Sequence, residues 1–524
     1  MVKIKNIIPI FLVLFLLIST RFINLTWGFP YLFHPDERNI VISLGQLTCG
    51  NILNLQECLN PNFFAYGQFF IYLGKFFSFW SHSLSFLDLT LILRVLSAGF
   101  SILTVWIGVL IVNEITKIYI DKYSKKTILI TSSLLFIFSP SLIQIAHFGT
   151  TESVLSFLFT YQIYSSILFL NNKKRSVKYL TESSLIIGIA VATKVSSLIF
   201  LSLPLIALAL NKKILIKKKL IYLLHISFFS LVTTFIFSPH YLISYREFLS
   251  SLNYESAVAL GKIMVFYTRQ FEGTIPVIFQ FTQIFPYSLG LPVFISFIIG
   301  FLYLPKNNIN NFLKYAFLVY FISTSFLFAK WTRFMAPIIP LMIVISYLFL
   351  LDLFSKKIKD AGFRRIILCM AILLLIIPGF KFISIYTGVD SRIKASEWIV
   401  ENIPSGSVIL SETANVVDIP VGNYKGKNYE IISSNLYNID NHEMLYKTFQ
   451  NDLKRADYIL IPSRRVFASH LKKTYPKINK YYSELFSGKL GFKKVSEFKY
   501  LDDEQAEETF SVFDHPVVRI YKRI

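Results

Sequence analysis

Asp36 and Glu37 are adjacent carboxylates in the stretch Phe33-His34-Pro35-Asp36-Glu37-Arg38, just after the first of many apolar runs of membrane length. Ionisable groups at a bilayer boundary are costly and usually mark a site. A carboxylate placed there can take the proton of an attacking hydroxyl. Further charged residues collect at the corresponding ends of later runs: Arg94, His147, Glu152, Lys194, His240, Lys330 and Arg333. Lys and Arg at such places can hold and neutralise a departing phosphate. The mixture suits transfer of a sugar from a lipid phosphate, with Asp36 as base, Glu37 or Glu152 orienting the acceptor or sugar, and Arg94, Lys194 and Arg333 on the phosphate.

Each residue also has a plainer reading. Pro35-Asp36-Glu37 can open a helix, with Glu37 favoured in its first turn. Glu152 can close a capping box with Thr150 or Thr151. Arg94 and Arg333 can be interfacial anchors, and Lys194 can snorkel to the membrane surface. His147 and His240 can be structural histidines. A divalent metal held by them with Asp36 or Glu152 is the alternative, but no ligand spacing of the H-x-x-x-H kind supports one, so no metal residue is assigned.

Transmembrane helices carry these groups. The chain of 524 residues is 54% hydrophobic and only 16% charged, with a mean hydropathy of +0.55, outside the range of soluble domains. Apolar runs occupy Ile7 to Thr20, Val95 to Val112, Ile128 to Ile145, Val154 to Leu170, Leu180 to Leu210, Leu220 to Phe237, Leu289 to Leu304, Phe312 to Phe328, Phe334 to Leu351 and Ile366 to Phe382. Leu180 to Leu210 is flanked by the basic loops 171–178 and 211–219, which belong on one side of the membrane. It is therefore read as a pair of short helices turning near Lys194, for about eleven crossings in all.

The net charge of +22 sits in short loops between apolar runs, the pattern of cytoplasmic loops rather than of a nucleic-acid groove. This sets the N-terminus inside and places 27–89, 238–287 and the C-terminal portion outside. Residues 1–385 form the membrane domain. Residues 386–524 are polar with short alternating runs and form a soluble α/β domain, with a helix over 391–402, strands near 407–411, 458–461 and 517–521, and a helix over 441–453. Cys49 and Cys58 share an outer loop, where either a bridge or two free thiols is allowed.

These motifs resemble the GT-C superfamily of polyprenyl-phosphate-sugar-dependent glycosyltransferases, in the branch of protein O-mannosyltransferases and aminoarabinose transferases. His34-Pro35-Asp36-Glu37 resembles the first-loop acidic motif and Pro61-Asn62-Phe63-Phe64-Ala65-Tyr66-Gly67 the aromatic segment after it. Leu93-Arg94-Val95 is similar to the start of the second span, and Thr150-Thr151-Glu152-Ser153 to the second acidic motif, where relatives usually carry Asp. Ala192-Thr193-Lys194 resembles the lysine turn, Ser238-Pro239-His240-Tyr241 the Pro-aromatic loop, and Lys330-Trp331-Thr332-Arg333-Phe334 the start of a late span.

The resemblance implies a polytopic plasma-membrane enzyme with a GT-C catalytic domain, a polyprenyl-phosphate sugar donor, and a hydroxyl acceptor on protein, lipid or glycan. It adds His34, Tyr66 and His240 to the substrate-binding residues. A first-loop Lys that contacts lipid phosphate in the aminoarabinose branch has no counterpart between Asn62 and Gln68, and no Trp-Trp-Asp signature of oligosaccharyltransferases occurs. A secondary transporter and a non-catalytic scaffold for envelope polysaccharide assembly are the rival readings.

Overall fold

In the computed structural model the described residues are 2–51, 53–81, 84–117, 122–171, 176–412, 419–421 and 426–524. Residues 118–121 and 172–175, the latter part of the basic loop 171–178, lie outside them. The chain is a multi-pass membrane protein, because in hydrocarbon an apolar segment satisfies its backbone groups only by closing into helices.

Among the described residues, five helices are long and apolar enough to cross a membrane: Phe86–Thr116, Glu152–Asn171, Ile216–Phe237, Pro286–Tyr303 and Thr332–Lys357. The bent pair Ala361–Leu375 and Ile377–Thr387 makes a sixth. The other expected crossings are helical but shorter, interrupted or more polar. They are Val2–Phe22, Lys125–Ile137 with Pro140–Gln144, Ser176–Thr193, Val195–Leu210 and Asn308–Ser325. Helix contacts use small and hydroxyl side chains, as when Thr234 donates to the Gly188 carbonyl at 3.2 Å.

At one end of this bundle the loops fold into shorter helices, Pro35–Gln46, Phe69–Ser78 and Tyr245–Ala259. Cys49 and Cys58 are disulfide-bonded there. His240 joins that loop to the next one, its Nε2 lying 3.0 Å from the Cys58 carbonyl and its Nδ1 3.0 Å from Ser244 Oγ. The basic residues Lys122 and Arg364 gather at the far end, where Arg364 Nη2 donates to the Lys122 carbonyl at 2.7 Å.

The C-terminal portion carries one sheet in the order β2-β1-β3-β5-β4, made of β1 (Val408–Glu412), β2 (Glu430–Ser434), β3 (Tyr458–Ile461), β4 (Phe492–Phe498) and β5 (Val518–Arg523). β1 runs parallel to β2 and β3, and β5 is antiparallel to β3 and β4. Alternation sends Ile409, Leu460 and Ile520 to a core with the Ser391–Asn402 helix. Leu410, Ile459 and Tyr521 face the other way, toward helices Glu443–Arg455 and Pro476–Phe486.

β1, β3 and β5 and two of these helices fall where the periodicity predicts them. β2, β4 and the Pro476–Phe486 helix were not anticipated. Both missed strands are sheet edges with mostly exposed or half-buried side chains, and β4 has a register shift between Lys494 and Ser496, so neither shows a clean alternation.

The sheet domain is fixed to the bundle by an aromatic cluster that includes Trp27, Phe148, Phe382, Tyr386, Phe510 and Phe513. Asp514 is buried beneath it, accepting from Tyr386 Oη at 2.7 Å and from Gln144 Nε2 at 2.9 Å. Arg392, fully buried, pairs with Asp390 at 2.6 Å, donates to the Phe513 carbonyl at 2.8 Å and lies 3.6 Å from the centre of the Phe33 ring.

Candidate active site

Pro35 occupies the first turn of helix Pro35–Gln46, where its missing N–H costs nothing, and His34 caps that helix, its Nδ1 accepting from the Glu37 N–H at 3.5 Å. The two acidic residues that follow therefore leave the helix start in different directions. Glu37 is fully buried and receives Arg94 in a bidentate pair, Nε and Nη2 each at 2.7 Å. Arg94 Nη1 also donates to the carbonyls of Leu25 and Trp27 at 2.8 Å, and the Gly149 N–H donates to Glu37 at 2.7 Å. Gly149 has no room for a side chain, since a Cβ would lie 2.6 Å from that of Leu93. Glu37 and Arg94 satisfy each other and tie four segments together.

Asp36 points the other way, into a cavity of about 370 Å³, where Arg333 Nη1 meets it in a short ion pair. Arg333 Nη1 also lies 3.4 Å from Tyr66 Oη, and its guanidinium sits 4.7 Å from the centre of the Trp331 ring. Lys194 reaches the same cavity from the break between helices Ser176–Thr193 and Val195–Leu210, in extended backbone. Its Nζ lies 5.0 Å from the Tyr66 ring centre, 5.3 Å from that of Phe334 and 3.6 Å from Glu152 Oε1. The turn is pinned by the first loop, for the Gly67 N–H donates to the Thr193 carbonyl at 2.9 Å and a Cβ on Gly67 would stand 2.0 Å from the Ala192 carbonyl oxygen.

A side pocket opens beside the cavity, lined by His34, Gln144, Glu152, Thr332 and Arg333 among others. Burial and the nearby charges of Arg333 and Arg94 hold His34 well below the usual histidine range, so it is a neutral wall residue between the Phe148 and Phe513 rings. Burial raises the Tyr66 phenol well above its ordinary value, with Glu152 and Glu255 adding to the effect. Tyr66 is therefore a neutral hydrogen-bond donor.

Asp36, Tyr66, Lys194 and Arg333 line the main cavity, while Glu152 and His34 line the side pocket. Glu37, Arg94 and His240 do not line the cavity. The side chains of Glu37 and Arg94 are occupied by each other, and those of His240 by Cys58 and Ser244. Residues not singled out in the sequence complete the wall: Glu255 and Tyr267 from the second loop, and Arg465, Thr509 and Phe513 from the sheet domain. Burial raises the Glu255 carboxyl, against the pull of Lys194.

Five buried polar atoms of residues lining the two pockets have no hydrogen-bond partner: Glu152 Oε1, Thr332 Oγ1, Arg333 Nε, and Nη1 and Nε of Arg465, the last of which has only its ion pair with Glu508. Unsatisfied buried groups are expensive, and here they converge where a ligand would satisfy them. Among the described residues no group of three or more His, Cys, Asp or Glu is placed to hold a metal ion, and Asp36 and Glu152 are each paired with a cation.

No family model and no curated protein matches the sequence. Solved structures do match, and they share the fold of this chain, membrane helices followed by a C-terminal domain. They include the apo oligosaccharyltransferase of Archaeoglobus fulgidus, 11% identical over 99% of this chain and 88% of that one, with a TM-score of 0.51. AglB of the same organism, in complex with an inhibitory peptide and a dolichol-phosphate, is 11% identical over 87% of this chain and 69% of its own, with a TM-score of 0.52. ArnT of Cupriavidus metallidurans bound to undecaprenyl phosphate is 11% identical over 98% and 97%, with a TM-score of 0.50.

Proposed function

We propose that this chain transfers a single sugar from a polyprenyl-phosphate carrier to a hydroxyl of a protein, lipid or envelope glycan, with inversion, at the extracytoplasmic face of the plasma membrane. The observation that carries the reading is Asp36 on one cavity with two cations, Arg333 and Lys194, at the rim of the helix bundle. The structural neighbours hold a dolichol-phosphate in AglB and undecaprenyl phosphate in ArnT, which supports a carrier of that kind. The gathering of Lys122 and Arg364 at the far end and the disulfide at this end support an outward-facing cavity and a cytoplasmic N-terminus.

In this reaction the acceptor oxygen attacks the anomeric carbon while the bond from that carbon to the phosphate oxygen breaks, its electron pair leaving with the phosphate. The acceptor proton passes to Asp36. Arg333, paired with Asp36 in the resting chain, turns its charge to the phosphate as the donor enters, which frees the carboxylate. Lys194 is the second cation on the leaving group. Glu152 steadies Lys194 and orients the sugar or acceptor, Tyr66 donates a hydrogen bond, and His34 walls the side pocket. Glu37, Arg94 and His240 position the loops that carry these groups. The isoprenoid tail stays in hydrocarbon between helices.

A secondary transporter keeps its charges near the bilayer midplane, whereas these pairs lie at one end of the bundle. The test incubates the purified chain with radiolabelled polyprenyl-phosphate sugars and membrane extract and identifies the labelled product. Consumption of a carrier by the wild type and its loss in D36N are expected. A wild type that consumes none, or a D36N variant with full turnover, refutes the reading.

A further inference from the structure

We propose that Arg465, from the sheet domain, completes the seat of the donor's phosphate together with Arg333. The inference rests on the polyprenyl-phosphate reading of the site. Arg465 follows the C-terminal end of β3, the last of the three parallel strands, and the cavity wall includes it opposite the helix bundle. In sheets of this kind ligands are met beyond the carboxyl ends of parallel strands.

Its side chain is only 5% exposed. One edge is engaged by Glu508, whose Oε1 lies 2.6 Å from Nε, and the guanidinium lies 5.5 Å from the Phe266 ring centre and 5.9 Å from that of Phe513. Nη1 has no acceptor, and neither has Nε of Arg333, a second residue of the same wall. A buried guanidinium held on one edge by a carboxylate and flanked by rings cannot turn away to water, so its open donor selects an oxyanion. Two arginines offering unused N–H groups to one cavity match the non-bridging oxygens of a phosphate. The sheet domain thereby contributes to donor binding.

The experiment uses the full chain in nanodiscs of phosphatidylethanolamine and phosphatidylglycerol, and measures affinity for undecaprenyl phosphate, undecaprenol and inorganic phosphate. For the wild type, the phosphorylated lipid should bind more tightly than the alcohol. R465Q should reduce that preference by about 10- to 100-fold while leaving undecaprenol binding unchanged. R465K, which keeps a charge but loses the fork, should fall between, and it serves as the test should R465Q fail to assemble. A preference unchanged in R465Q or R465K overturns the role of Arg465 and leaves the donor reading standing. Weakening of inorganic phosphate alone assigns the site to a free anion and also overturns the proposal. A wild type with no preference for the phosphorylated lipid refutes the donor reading itself.

Discussion

Asp36 and Glu37 are neighbours in the chain, yet they are committed to different arginines in different environments: Asp36 to Arg333 on an open cavity, Glu37 to Arg94 in the closed interior. One carboxylate is available to a ligand and the other is locked. Their variants should therefore fail in different ways.

At Asp36, D36N keeps the shape and removes the proton acceptor. Turnover should drop by about 10²- to 10⁴-fold, with carrier binding and thermal stability close to wild type. Carrier consumption, lipid affinity and melting measured on one preparation separate these effects.

At the Glu37 pair, R94A leaves a buried carboxylate facing only the Gly149 N–H. A loss of about 3–5 kcal/mol of stability is expected, as for breaking a buried ion pair from one side. The double variant E37A/R94A should cost less than the sum of the two single changes, which a melting series in detergent can read.

Gly67 should tolerate no side chain. The Cβ of G67A would collide with the Ala192 carbonyl and push the first loop off the Lys194 turn, separating Tyr66 from Lys194. Carrier affinity should weaken and the melting temperature fall together, whereas A65G, on the same loop but without that contact, should show much smaller changes.

Glu508 makes stability depend on pH. Burial lifts its carboxyl to about 7, despite Arg465 and Arg464, which pull it down, while Glu507 pushes it further up and Ser469 donates to it. The folded chain therefore binds a proton that the unfolded chain releases near the ordinary glutamate value. The resulting stabilisation is complete below about 4.5 and declines as pH rises toward 7, by up to ~3 kcal/mol. Melting temperatures from pH 4.5 to 8 should show this decline, and E508Q should flatten it.

The sequence carries the helix bundle clearly because apolar length is a strong signal, and the charges at span ends mark Asp36, Lys194 and Arg333 for the same reason. It does not separate Arg333 from Arg94, since both are arginines at a membrane rim and only the tertiary fold decides which of them Glu37 takes. Glu255 stands on a polar helix and Arg465 in a charged soluble domain, where such residues are commonplace. Only the placement of the β3 end over the bundle gives Arg465 a position on the cavity, and strand pairing of that kind leaves no local mark. The edge strands β2 and β4 were hidden because half-exposed strands mix polar and apolar residues without a period.

The cavity wall is drawn from Asp36 near the beginning of the chain and from Arg465, Thr509 and Phe513 close to its end. The chamber consequently does not exist during synthesis, when the early helices are already in the bilayer. It is completed only after Phe513 has left the ribosome and the sheet has folded, so nascent chains or clipped molecules that stop before Arg465 lack this part of the wall.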